Sequence, residues 1–371
     1  MVPTKIHRET KYSNMENLYE NPIISVVIPA YNAERFIKYT ILSVLFQNYK
    51  PLEIIIVNDG SEDNTKYVAE QVIDQYSTRE ESVEFKIIDI GINKGAANAL
   101  YVGFNEAMGE YICWLSADDM FIDKKKLQIQ LNQMMTYDAD WSYFTQMYRG
   151  ESLSKAKLIR NSYIPKLTIL DKRFIDDPEL RLMALIFRNP INGSSIMIKK
   201  SNLRKYGNFD PTLKNVDADG DLWMRYTLLN AKLVAINSAP VFNRDHPNQT
   251  SKKGFEMIYW SELTRLRILT LLSEYDLLSD LIKKFSPYLL VYFVTGIYKK
   301  RPISTKYICE QILNDKHKYT SIFLYLAKRY RKKSVIKINN LKIDYNKYFK
   351  ILNELSESKV FKDFKRRLKK L

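Results

Sequence analysis

No stretch of this sequence reaches the roughly 18 successive apolar residues that a membrane-crossing helix needs. The nearest, PYLLVYFVTGIY at 287–298, is too short to span. Cysteine is nearly absent: Cys113 and Cys309 stand alone in 371 residues. That excludes a disulfide framework or a cysteine zinc pattern and points to a reducing compartment. Neither G-x-G-x-x-G nor G-x-x-x-x-G-K-[ST] occurs, which argues against an ordinary dinucleotide fold and a P-loop NTPase. Residues 1–21 lack the apolar core of a secretion signal and read as a polar, loosely ordered arm. There is no internal repeat. Acidic residues are scarce at one end only. Residues 252–371 carry 28 Lys and Arg against 11 Asp and Glu, whereas the preceding part carries 30 against 31. A near-neutral part is followed by a strongly basic one, of the kind that seeks nucleic acid, an anionic membrane surface or an acidic partner.

What is present is an alternation of strands and helices. Length suggests roughly two domains. Continuous apolar runs predict strands at 25–29, 53–58, 83–89 and 111–115, and helical spacing predicts helices at 33–47, 64–76, 98–107 and 124–135. Unbroken apolar strands alternating with helices mean a mostly parallel α/β sheet covered on both faces. The pattern then weakens: strands are expected at 140–144, 195–199 and 233–236 and a helix at 219–229, with a polar, irregular stretch between 144 and 195. From about residue 255 the text is helical and rich in Lys and Tyr. The expected division is an arm (1–21), an α/β domain (22–253) and a basic helical region (254–371).

The α/β domain is organised around 109–119, GEYICWLSADD. A short buried strand ends abruptly in Asp118 and Asp119. Open α/β sheets place ligands at the carboxyl ends of their strands, and a divalent ion held by one or two carboxylates completes its shell with water and phosphate oxygens. A metal–diphosphate site is one reading; an Asp-Asp turn capping the next helix is the other. The other strands end in polar clusters as well: Ala30-Tyr31-Asn32, Asp59-Gly60-Ser61 and Asn93-Lys94-Gly95. Asp219 opens a helix, as a catalytic carboxylate or, like Asp217, as an N-cap. Asp221 has Arg225 four residues on and reads as a surface ion pair. Trp223 and Cys113 read as core, and Asn192-Gly193-Ser194-Ser195 as a turn or the border of an acceptor pocket.

VVIPAYNAERFI (26–37), VNDGSEDNT (57–65), NKGAANA (93–99), WLSADD (114–119), DGDLWMR (219–225) and RDHPNQTS (244–251) occur in this order. With them, the first 250 residues resemble the family-2 glycosyltransferases, which have the GT-A fold. The resemblance implies an inverting, metal-dependent transfer from a nucleotide-sugar, most readily a UDP-sugar, to a hydroxyl of a glycan or lipid-linked oligosaccharide in surface polysaccharide synthesis. It implies that Pro29, Ala30, Tyr31, Asp59, Lys94, Asn98, Ala117 and Asp118 border the nucleotide-sugar. Asp118, with Asp119 and His246, would hold Mg²⁺ or Mn²⁺, and Asp219 would be the general base. Two positions depart from the family: Ser116 stands where a further Asp is common, and Ala218 where a Glu precedes the base. His246 read by itself is a solvated loop histidine.

A polyprenyl-phosphate sugar synthase and a non-catalytic nucleotide- or nucleic-acid-binding module remain as rival readings. No nucleic-acid motif is present. For the basic region two readings stand: an interfacial helix at 287–298 on an anionic membrane, flanked by Lys283-Lys284 and Lys299-Lys300-Arg301, or a helical domain with a solvated basic face. The expected location is cytoplasmic, with a peripheral position at the inner face of the plasma membrane under the first of these.

Overall fold

The computed structural model describes residues 21–77, 81–164, 167–213, 217–249, 252, 254–296, 299, 301–341 and 344–370. All of the expected arm except Asn21 lies outside them. The chain divides into two compact units. The first takes the chain to Asn161 and adds Ile191–Pro211 and Lys232–His246. It contains β1 (Ile24–Ala30), α1 (Ile37–Leu45), β2 (Leu52–Asn58), α2 (Thr65–Tyr76), β3 (Val83–Asp89), α3 (Ala96–Glu106) and β4 (Tyr111–Trp114). There follow β5 (Met120–Phe121), α4 (Lys126–Thr136), β6 (Trp141–Phe144), β7 (Gln146–Gly150) and β8 (Lys157–Arg160), and later β9 (Met197–Lys199), β10 (Leu233–Ile236) and β11 (Val241–Arg244).

Seven strands form one sheet in the order β10-β6-β9-β4-β1-β2-β3. Its centre is parallel, as continuous burial on both faces requires: every residue of β2 is buried, and Val26, Ile28, Ile54 and Ile56 pack with Ile37, Ile41 and Val44 of α1. β9 enters antiparallel between β4 and β6, which makes the sheet mixed. Cys113 is buried in this core with Lys126 Nζ 3.5 Å from its sulfur. A second sheet, β5-β11-β7-β8, was not expected from the sequence. Two of its strands, β7 and β8, lie in the stretch read as irregular, and the sheet carries the end of β11 to the loop that follows β4.

The second unit is assembled from Ser162–Pro190, Thr212–Ala231 and Pro247–Leu371. Its longer helices are α5 (Pro178–Phe187), α6 (Ala218–Leu228), α7 (Gly254–Glu274), α8 (Leu277–Lys284), α9 (Ser286–Val294), α10 (Pro302–Asn314), α11 (Ser321–Asn340), α12 (Tyr345–Ser356) and α13 (Lys359–Leu368). The basic region expected at 254–371 therefore shares a packed unit with two earlier stretches of chain. Its apolar run packs inward: Leu289, Tyr292 and Phe293 of α9 are buried, with Phe187 stacked on Tyr292 at 4.8 Å and Tyr330 on Phe293 at 4.7 Å. These three side chains of the 287–298 run serve the core, whereas Pro287 and Val294 are exposed; residues 297 and 298 lie outside the described set.

A buried charge network joins α6 to α7. Asp221 Oδ2 accepts from Arg225 Nε at 2.7 Å, and Asp221 Oδ1 accepts from Arg267 Nη2. All three side chains are fully buried. Arg267 also donates to the Leu355 carbonyl at 2.9 Å and lies over the Phe361 ring at 4.2 Å. The surface ion pair expected of Asp221 and Arg225 is instead the centre of this unit. The helix spacing is right, but a second arginine 42 residues further along the chain covers both.

Candidate active site

At the carboxyl edge of the first unit, side chains stitch the strand-end loops together. Asn32 N–H donates to Ser61 Oγ at 3.1 Å, and Glu62 N–H donates to Asn32 Oδ1 at 2.9 Å. Asp59 accepts from the backbone N–H of Lys94 (2.9 Å) and Gly95 (2.7 Å), one on each carboxylate oxygen. Burial raises its pKa and those two N–H groups oppose the rise. Asp59 thereby locks the 93–95 loop against the end of β2. Gly60 is required beneath it: its φ is +67°, and a Cβ there would lie 2.6 Å from Asn93 N. Around this edge Tyr31 is 45% exposed, Lys94 is exposed, Pro29 and Asn98 are partly buried, and Ala30 and Ala117 are buried.

The acidic pair at the end of β4 is divided. Asp119 is enclosed, at 1% exposure. Its carboxylate accepts from Ser194 Oγ (2.5 Å), Asn243 Nδ2 (3.0 Å to each oxygen) and Arg244 N–H (3.1 Å). Burial, then the charge of Asp118, push its pKa up. These bonds make Asp119 the buckle between β4, the 192–195 turn and β11, and protein donors occupy the oxygens that the sequence reading offered to a metal. Asp118 is the open carboxylate. Its side chain is 25% exposed, and its Oδ2 lies 2.9 Å from His246 Nε2, itself 20% exposed. Arg244 Nε donates to the Asp118 carbonyl at 3.1 Å, and the His246 ring lies 5.0 Å from that of Phe36. So the second sheet is what sets His246 beside Asp118.

Among the described residues, no group of three or more His, Cys, Asp or Glu side chains could hold an ion. Asp118 and His246 supply one hard oxygen and one imidazole nitrogen. Such a pair fits Mg²⁺ or Mn²⁺ where diphosphate oxygens and water complete the shell.

Ser194 also accepts from Ser116 N–H at 3.1 Å, so the turn at 192–195 supports the whole acidic loop. That turn passes directly over Trp114. A Cβ on Gly193 would lie 2.1 Å from the indole. Gly193→Ala is therefore expected to lower stability by about 1–3 kcal/mol and to draw Ser194 off Asp119. Thermal unfolding checks this, and an unchanged melting temperature would count against it.

In the second unit, Asp219 lies in the first turn of α6, where a carboxylate is favoured by the helix dipole. It does not cap the helix. Asp217 stands at the cap position in a left-handed conformation (φ 59°) and makes no side-chain cap bond; its carboxylate pairs with Arg265 of α7. Asp219 Oδ2 accepts from Asn189 Nδ2 at 2.9 Å. Burial raises its pKa, and hydrogen bonds from the Gly220 N–H and Asn189 hold the rise back. The DADGD run is thus sorted residue by residue. Two carboxylates are bound by arginines of α7, and the middle one is left with a neutral amide and a raised pKa.

Residues 25–192 match the family described as Glycosyl transferase family 2. They belong to it. The strand-end loops and the acidic pair fall inside the matched segment. Asp219 and His246 fall beyond it. Similar proteins include an uncharacterised glycosyltransferase of Rickettsia felis, 31% identical over 244 residues, covering 66% of this chain and 37% of that protein. Another, from Rickettsia typhi, is 29% identical over 246 residues and covers 66% and 70%. The putative teichuronic acid biosynthesis glycosyltransferase TuaG of Bacillus subtilis is 32% identical over 165 residues, covering 41% and 63%. The chain spans little more than a third of the length of the Rickettsia felis relative. Among solved structures, S. aureus TarS 1-349 is similar in fold, with a TM-score of 0.55 and 17% identity over 87% of this chain and 91% of that one. The GT-A architecture expected from the motifs is the one observed.

The sequence reading took Ser194 only as part of a turn or acceptor border, and it missed Asn243 and Asn189, which with Ser194 hold Asp119 and Asp219, and Arg265, which binds Asp217. Each supporting residue is at least 30 positions from the carboxylate it holds. No local spacing announces such a bond. Arg244 stands at the head of the RDHPNQTS motif, and Asn243 could have been flagged only by its place just before it.

Proposed function

We propose that this family-2 chain is an inverting glycosyltransferase that takes a sugar from a nucleotide-sugar and places it on a hydroxyl. The reading rests above all on the division of the acidic pair. Scaffold donors consume Asp119, whereas Asp118 is held half-open beside His246 at the strand ends. A carboxylate kept open at that edge suits a ligand that brings negative charge and its own metal-binding oxygens. Asp118 and His246 would hold Mg²⁺ or Mn²⁺, which supplies charge stabilisation to the departing nucleoside diphosphate. Asp219, with burial raising its pKa, would take the proton of the acceptor hydroxyl. Only one such base is invoked, which gives displacement with inversion.

A UDP-sugar is the proposed donor. TarS, alike in fold, has been solved with UDP-GlcNAc and with UDP. Surface polysaccharide synthesis is the proposed setting, in keeping with TuaG as a relative. Titration calorimetry with UDP, GDP, CDP and dTDP, with Mn²⁺ and then with EDTA, tests the donor site. UDP is expected to bind only with metal, and Asp118→Ala is expected to abolish that binding while Tyr67→Ala, on α2, leaves it. Metal-independent binding, or full binding by Asp118→Ala, would overturn the assignment.

A further inference from the structure

The basic region carries a surface that glycosyl transfer does not use. Helix α11 runs for 20 residues, SIFLYLAKRYRKKSVIKINN, without one Asp or Glu. Its inner face is settled: Phe323, Ala327, Tyr330, Ser334 and Ile338 are buried. The opposite face is a single stripe at helical spacing, Ile322, Tyr325, Arg329, Lys332 and Ile336, all exposed. Ile322 is 70%, Tyr325 61% and Ile336 54% exposed.

Its composition sets this face apart from a merely solvated one. Three exposed cations elsewhere in the unit meet acids: Lys362 pairs with Glu357, Arg366 with Asp363 and Lys284 with Glu179. Among the described residues, Arg329 and Lys332 have no ion-pair partner. A solvated helix face mixes signs, whereas this one puts apolar side chains between unopposed cations. Cationic heads that meet anionic headgroups, with isoleucine and tyrosine reaching past them to the acyl boundary, are what an interfacial helix presents.

We propose that the outer face of α11 is a docking surface for an anionic lipid bilayer, lying flat on it without crossing. It is a surface separate from the 287–298 run, three of whose side chains are buried. The inference stands apart from the choice of donor and acceptor.

Co-sedimentation of the full chain with phosphatidylcholine vesicles, plain or with about a third phosphatidylglycerol, tests it. Partitioning is expected on the anionic vesicles alone. Arg329→Gln with Lys332→Gln is expected to weaken it about 30-fold, at ~1 kcal/mol per cation. Ile322→Ser with Ile336→Ser is expected to weaken it at least ~10-fold with an unchanged melting temperature, because both side chains are already in water. Lys124→Gln with Lys125→Gln, an equal loss of charge on the first unit, is expected to change nothing. Equal binding to both vesicle types, or α11 variants that bind as the parent does, would overturn the proposal. So would a dependence on the cations alone that soluble polyphosphate competes away, since that marks a polyanion site.

Discussion

Asp219→Asn is expected to lower kcat by about 10²- to 10⁴-fold for a hydroxyl acceptor. Donor binding should be nearly unchanged. The substitution keeps the shape of the side chain and still offers Asn189 a carbonyl oxygen to bond. What it removes is the lone pair that accepts the acceptor's proton. A pH profile separates this from a packing fault. Burial raises the pKa of Asp219, so the parent loses activity, as pH falls, above the ordinary carboxylate range, where the base protonates. That limb should vanish in the variant. Release of nucleoside diphosphate with acceptor present measures both. Retention of most activity would reject the general base and favour an acceptor that is already an anion, as a polyprenyl phosphate is.

Asp221→Ala should be the most damaging single change to stability outside the apolar core. It removes the carboxylate that the buried Arg225 and Arg267 share, and breaking a buried ion network in this way costs about 3–5 kcal/mol. Chemical unfolding should show the midpoint falling by that amount. Replacing all three together, as Asp221→Leu with Arg225→Met and Arg267→Met, should recover much of the loss, because an apolar cluster of similar volume has no charge to desolvate. If Asp221→Ala unfolds at the parent midpoint, water reaches the network and the buried description fails.

The strands that could be read from sequence were those whose burial is written in one continuous run. Residues 24–30, 52–58 and 111–114 lie within a residue or so of the expected strands, because apolar runs of that length have few other fates. The second sheet is different. β5 has two residues, and β8 is exposed throughout, so neither has a hydrophobic pattern. They are strands because Met120 meets Phe242 and Tyr148 meets Leu158 across the fold. Helix α5 was legible and overlooked: Asp177-Pro178 is a cap followed by a proline at the first helical position, and Asp177 does accept from Glu179 N–H and Leu180 N–H. At the site, Asp118 and Asp119 are indistinguishable as adjacent letters. Only Ser194 and Asn243, about 75 and 124 positions away, decide which is scaffold and which is open.

The helical unit takes up the chain three separate times, and its deepest charges are shared between the second passage and the third. A recombination that cut near residue 252 would hand a new partner the arginines and leave their carboxylates behind. Offspring of such a cross would inherit Asp217 without Arg265, and Asp221 with Arg225 but without Arg267. Helix α6, with Asp219 on its first turn, and the basic helices after it are therefore heritable only as one block, and a graft that means to exchange either must carry 162–190 and 212–231 along with the tail.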